Sequence, residues 1–353
     1  MDFFWNYIVV FLLILTVVVF VHELGHYLVA RWNGDRFEVY SIGFGPEIWG
    51  FNDTSGTRWR FSALPLGGYV KMFGDADAAS ATGDPRPMSE AEMAVSFRHK
   101  RVGQRAAIVF AGPAANFLFA ILGLALMFMA LGQPVTEPVI GQVLAGSAAE
   151  QAGLKAGDRI VVANGSEVER FQDIQRIVRL DIDTPLSLTV ERDGARLDLV
   201  ARPRIVERKG MFGDMEKVPV LGIAADPSST RIVHHGPGTA LWQAVRETGS
   251  MISATFVGIG QMISGSRDSD ELGGPIRIAK GAGEAAQLGV ASVAFYVIML
   301  SLNLGLINLF PIPVLDGGHL VFYAFEAILG RPLGERAQEY GFRIGLFLVL
   351  ALM

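Results

Sequence analysis

The chain has 353 residues, 51% of them hydrophobic and 18% charged, with a mean hydropathy of +0.37. That is too apolar for an ordinary soluble domain and too charged for a bare membrane bundle, so a membrane protein with a sizeable water-facing part is expected. The net charge of −5 offers nothing to nucleic acid, and the absence of cysteine excludes disulfides and thiolate metal ligands.

The first apolar segment runs from about residue 3 to residue 30. Asp2 stands where a secretory leader would carry a basic residue, and no small-residue cleavage site follows, so a retained transmembrane helix (1–31) is predicted. Its end carries His22-Glu23-Leu24-Gly25-His26. On a helix, residues four apart share a face about 6 Å apart along the axis. Two imidazoles so placed can grip one zinc ion, with the intervening glutamate in reach of a water on it. Such polar groups are expensive in a membrane span and imply a function. The longer motif of soluble metzincins is absent, because Val29 and Trp32 occupy its glycine and third-histidine positions.

Residues 32–104 form a polar connection, followed by a second span at 105–131. Residues 135–205 resemble a PDZ domain, on the pattern from Gly146 to Ile160 with Gly153-Leu154 and Gly157-Asp158, a tight Asn164-Gly165 turn, helical spacing over 171–180, and strands flanking Asp193-Gly194. Such domains bind extended peptide ends by strand addition, or act as spacers. Residues 206–288 read as a linker with a helix at 239–263 that is either amphipathic on the membrane surface or packed as a support. A third span and a following helix occupy 289–330. The last segment, 335–353, has too few apolar residues for a complete fourth span. Arg31, Arg36, Arg98, Lys100, Arg101 and Arg105 flank the first polar connection, and Arg331, Arg336 and Arg343 lie after the third span. The bias puts 32–104 in the cytoplasm and the N-terminus and 132–289 outside.

Zinc needs a third protein ligand beside the two histidines. Asp316 is the best candidate, in Asn308-Leu309-Phe310-Pro311-Ile312-Pro313-Val314-Leu315-Asp316-Gly317-Gly318-His319. Counting residues inward from the outer ends of the first and third spans brings His22 and Asp316 to similar depth, near the cytoplasmic side, because the two prolines break the helix. Asp316 could instead cap the helix that follows. His319, Glu38 and Glu47 are weaker rivals as ligands. Asn303 and Asn308 are amides in an apolar helix, suited either to hydrogen-bonding an unwound substrate or to joining helices.

The motifs at 22–26 and 308–319, together with Phe44-Gly45-Pro46, Pro65 to Met72, Gly112-Pro113-Ala114-Ala115-Asn116 and Glu271 to Ile276, resemble the site-2 protease family of intramembrane zinc metalloproteases. The likeness covers nearly the whole chain. It is greatest to the branch that regulates sigma-E, whose members carry two tandem PDZ domains where this chain shows one. The resemblance implies a polytopic α-helical membrane protein of about four spans, with a cytoplasmic membrane-dipping β-hairpin and an inserted periplasmic PDZ domain. It implies His22, His26 and Asp316 as zinc ligands and Glu23 as catalytic acid and base. Gly67 and Gly68 would lie on the hairpin that receives substrate, and Asn303, Asn308, Pro311 and Pro313 would handle it. Implied substrates are single-span proteins of the bacterial inner membrane, such as anti-sigma factors or remnant signal peptides. The other class in play is a membrane-bound PDZ adaptor with a structural metal site. An intact Glu23 argues against it, because a structural site needs the histidines but not that glutamate.

Overall fold

The computed structural model describes residues 4–74, 88–180, 184–209, 215–263, 274–332, 334, 339–341, 343–345 and 347. In chain order, α1 (Val10–Trp32) follows a π-helical turn at Phe4–Val9. Two long strands come next, β1 (Phe37–Asn52) and β2 (Arg58–Met72), then a short α2 (Glu90–Val95) and the long α3 (Val102–Ala130). An α/β region then contains β3 (Gln133–Thr136), β4 (Ile140–Val143), α4 (Ala148–Gln151), β5 (Arg159–Ala163), β6 (Ser166–Glu167), α5 (Phe171–Leu180), β7 (Leu186–Arg192) and β8 (Ala195–Ala201). It continues through β9 (Arg204–Lys209), β10 (Met215–Val220), β11 (Ile223–Ala225) and β12 (Thr230–Val233). The helices α6 (Pro237–Ile263), α7 (Pro275–Leu288), α8 (Val290–Asn308) and α9 (Asp316–Leu329) follow.

Among the described residues three helices are long and apolar enough to cross a membrane: Tyr7–Trp32, Val102–Ala130 and Val290–Asn308. The expected fourth span, 335–353, lies mostly outside the described residues, as do Glu271, Leu272 and Gly273 of the motif before α7. The third span, α8, stops at Asn308. Pro311 and Pro313 cannot donate to a helical ladder, and residues 309–315 form a bent connection that ends at α9.

The chain divides into two compact units, one of residues 1–123 with 274–353 and one of 124–273. In the first, Ile14 and Val18 of α1 pack with Ala282 of α7 and with Val293, Tyr296, Val297, Leu300 and Leu304 of α8. A second core joins Tyr27 and Ala30 of α1, Phe37, Tyr40, Val70 and Met72 of the strands, and Ile108 and Val109 of α3. The strands β1 and β2 pair with each other twice. Tyr40 lies opposite Val70 on one side and Trp59 on the other, while Trp49 faces Phe61 farther out. The sheet lies along α1: Thr16 Oγ1 donates to the Pro65 carbonyl, Tyr40 Oη to the Phe20 carbonyl at 2.9 Å, and Tyr27 Oη to Asp53 at 2.7 Å. Its outer part leaves Ile48 74% and Trp49 58% exposed, an unusual display of apolar surface unless something apolar covers it.

In the second unit β6, β5, β7 and β8 form an antiparallel sheet in that order over a core of Ile160, Ile174, Leu186, Leu188 and Val190. The dipeptides read as turns behave as such. Asn164 and Asp193 adopt positive φ (46° and 50°), each followed by a glycine that does so freely, at the β5–β6 and β7–β8 reversals. Asp158 is fully buried. It accepts from the Lys155 amide at 2.8 Å and from Arg192 Nε and Nη2 at 2.6 and 2.7 Å, so the Gly-Asp pair staples β5 to β7. The pairings of β11 with β4 and of β12 with β3 tie 223–233 to the strands at 133–143. Their partners are distant in sequence, so no local pattern announces them.

Candidate metal centre

The buried face of α1 that carries Ile14 and Val18 continues through His22. His22, Gly25, His26 and Ala30 are buried at the spacing of one helix face, while Leu28 is exposed. Across from this face stand α3 and the start of α9. The connection 309–315 turns back so tightly that a Cβ on Gly317 would fall 2.3 Å from the Leu309 carbonyl oxygen, and one on Gly318 2.4 Å from that of Ile312. Only glycine fits at either position, and this close return delivers Asp316 to the histidines. Asp316 is the first residue of α9, with Leu315 in the capping position, so it does not serve as the cap that its sequence context also allowed.

His22 Nε2, His26 Nε2 and one Asp316 carboxylate oxygen converge. Asp316 Oδ2 lies 3.1 Å from His22 Nε2 and 3.5 Å from His26 Nε2, and the two Nε2 atoms are 3.2 Å apart. Ligands about 2.0–2.1 Å from a tetrahedral zinc are separated by about 3.3–3.4 Å. The spacing of the three donor atoms thus fits the ligands of a single zinc ion. Asp316 Oδ2 is buried and makes no hydrogen bond, and two imidazole nitrogens face each other with no polar group between them. A cation satisfies all three at once. This is the only group of three or more histidine, aspartate or glutamate side chains with metal-holding geometry among the described residues.

Helix α3 completes the site. His26 Nδ1 lies 2.9 Å from the Ile108 carbonyl, which fixes the ring with its proton on that nitrogen and frees Nε2 as a donor to metal. One turn on, Gly112 gives the rings their space: a Cβ there would lie 2.3 Å from His26 Nε2 and 2.9 Å from His22 Cε1. Another turn on, Asn116 Nδ2 lies 3.3 Å from His22 Nδ1. Gly25 of α1 allows this approach, since its Cβ would fall 2.2 Å from the Ala111 carbonyl oxygen. The roles of Ile108, Gly112 and Asn116 escape sequence reasoning. The one available signal is an asparagine and a glycine–proline pair in an otherwise apolar helix.

Other sequence-derived candidates fall elsewhere. Glu38 pairs with Lys71 at 2.7 Å and Glu47 with Arg58, both on the sheet, so neither is a ligand. His319 packs beside Phe322 and Tyr323 and stands outside the three-donor group. Glu23, between the two histidines in sequence, is half-buried. Gly67 packs against Val19, one turn before His22. Asn303 and Asn308 are half-buried on α8, and Pro311 and Pro313 shape the connection to Asp316. No described contact joins either asparagine to the three donors.

The chain matches the model of peptidase family M50 over residues 10–352. A protein of Agrobacterium fabrum provisionally named zinc metalloprotease Atu1380 is 48% identical, over all of this chain and 94% of its own length. One of Rhizobium meliloti with the same provisional description, R01501, is 44% identical over 97% of this chain and 92% of its own. Metalloprotease MmpA of Caulobacter vibrioides is 40% identical over 97% and 92%. With a donor set that fits zinc, apolar helices around it and a match along almost the entire length, the chain belongs to peptidase family M50, the site-2 protease family of zinc-dependent membrane peptidases.

Proposed function

We propose that this enzyme is an intramembrane endopeptidase that hydrolyses a peptide bond within or beside the membrane span of single-span proteins, with His22, His26 and Asp316 holding zinc and Glu23 as the general base. The observation that carries this reading is the donor triangle, two of whose three members lie on a helix long and apolar enough to span a bilayer. A protease for soluble substrates has no need of such a location.

Held by His22, His26 and Asp316, zinc would supply Lewis-acid chemistry, lowering the pKa of a bound water towards about 7. Glu23 accepts the attacking water's proton as the water oxygen bonds to the scissile carbonyl carbon, and returns it to the departing amine as the C–N bond breaks. A helical substrate hides its carbonyls and must be drawn out first. The edge of β2 at 68–72 is suited to this. One side pairs with β1, and among the described residues no strand pairs with the other. Gly67, beside Val19, brings that edge within a turn of His22, so a substrate strand added there would run towards the metal. Asn303 and Asn308 would hydrogen-bond its freed backbone, with Pro311 and Pro313 holding the loop open. The exposed Ile48 and Trp49 support a sheet that dips into lipid.

The α/β unit would serve as a PDZ domain that admits or binds substrate ends. The basic residues flanking the spans support the inner membrane of a bacterium, with the N-terminus and this unit periplasmic and the metal near the cytoplasmic side. Substrates would be anti-sigma-factor-like proteins or remnant signal peptides, without nucleic acid. The adaptor alternative does not account for Glu23. The test is cleavage of a tagged single-span peptide by the purified full chain. Wild type should cleave, chelation should abolish cleavage, and Glu23→Gln should keep its zinc but lose activity by about 100-fold or more. Undiminished cleavage by Glu23→Gln refutes the mechanism.

A further inference from the structure

The two imidazoles are held by different means. His26 Nδ1 meets a main-chain carbonyl, that of Ile108, which can only accept. His22 Nδ1 meets a side-chain amide, that of Asn116, which can either accept or donate. Asn116 is completely buried, and its Oδ1 has no hydrogen-bond partner. Its surroundings hold it in place: Ser301 Oγ of α8 donates to the Asn116 main-chain carbonyl at 3.2 Å, and a Cβ on Gly305 would lie 3.1 Å from Asn116 Cβ.

We propose that Asn116 is the positioning residue that sets the tautomer of His22 for metal binding. An imidazole that gives its Nε2 lone pair to a metal carries its proton on Nδ1, and that proton needs an acceptor. In the present orientation the Asn116 NH2 group faces Nδ1, which suits the opposite tautomer, with the proton on Nε2. A half-turn of the amide exchanges its two ends and offers the unpartnered Oδ1 to the Nδ1 proton. The main-chain partner keeps His26 ready for metal at all times. His22 becomes ready through the orientation of one buried amide, and Ser301 and Gly305 keep that amide in reach from α8.

This inference rests on the reading that both histidines bind zinc through Nε2. Its test is zinc content and chelator competition on the purified full chain, with helix content and detergent-solubilised size as controls. Asn116→Leu keeps the bulk but removes the acceptor, and should weaken zinc by about 10–100-fold with the fold intact. Asn116→Asp keeps an acceptor in place and should hold zinc within a few-fold of wild type. A residue that only fills space predicts the reverse, with leucine tolerated and a buried charge disruptive. Wild-type zinc affinity in Asn116→Leu, or equal losses in both variants, overturns the proposal while leaving the metal site standing. A wild-type chain that takes up no zinc overturns both. Should Asn116→Leu not fold, Asn116→Ser against Asn116→Ala makes the same comparison, with the serine variant expected to bind more tightly.

Discussion

Gly112→Ala adds one methyl group at the point where α3 faces both imidazoles. The new Cβ would lie 2.3 Å from His26 Nε2, 2.5 Å from its Cε1 and 2.9 Å from His22 Cε1. Contact between such atoms is comfortable at about 3.5 Å, so the His26 ring must retreat by about 1.2 Å and the His22 ring by about 0.6 Å. Metal–ligand distances tolerate only about 0.2 Å. His26 therefore leaves the donor triangle and His22 is pulled off line, and zinc affinity should fall by at least the ~100-fold that marks the upper end of disturbing outer contacts. The substitution should not hurt the helix, because alanine is favoured over glycine in a helix interior by about 0.8–1.0 kcal/mol. Zinc per chain, measured by elemental analysis after purification, should drop sharply while helical content stays at the wild-type level. Full zinc occupancy in Gly112→Ala would mean that the imidazoles do not meet the metal in this arrangement, and the reasoning would fail with it.

Asp316→Ala removes the third donor and should lower bound zinc by elemental analysis and abolish cleavage. Unchanged metal content would move that ligand elsewhere. Gly25→Val would drive a side chain against the Ala111 carbonyl and Ala115 where α1 meets α3, and overpacking of this kind costs about 1–3 kcal/mol, readable as a lower unfolding temperature together with weaker zinc binding. Burial alone would raise the Asp158 carboxyl, but the Arg192 hydrogen bonds and the Lys155 amide outweigh it and hold the group below the usual carboxylate range. A depressed folded value means that the unfolded chain takes up the proton first. This contribution to stability is therefore present above about pH 4 and is lost as pH falls through the folded value. Asp158→Asn should flatten the acid limb of a stability profile taken from about pH 3 to about pH 6, and an unaltered limb would deny the staple between β5 and β7 that role.

Local features were legible in the residues themselves. The spacing of His22 and His26 follows from helical period alone, and the turns at Asn164-Gly165 and Asp193-Gly194 follow from the backbone those pairs favour. The apolar lengths of α1, α3 and α8 were equally plain. The prolines at 311 and 313 marked a break, although not that the helix would end at Asn308. No local pattern announces the strands β11 and β12, because each is short and acquires its meaning from a partner some 80 or more residues earlier.

By itself, then, the amino-acid order determined that two imidazoles share one face of a membrane-length helix with an acid between them, since covalent spacing and 3.6-residue periodicity permit little else. Tertiary structure alone decided what stands opposite that face. It brings Asp316 to the histidines by a glycine-dependent return of the chain, and lays the column of Ile108, Gly112 and Asn116 beside the rings. Those relations depend on how closely α1, α3 and α9 approach. Close approach is a property of packed surfaces, and no local stretch of residues encodes it.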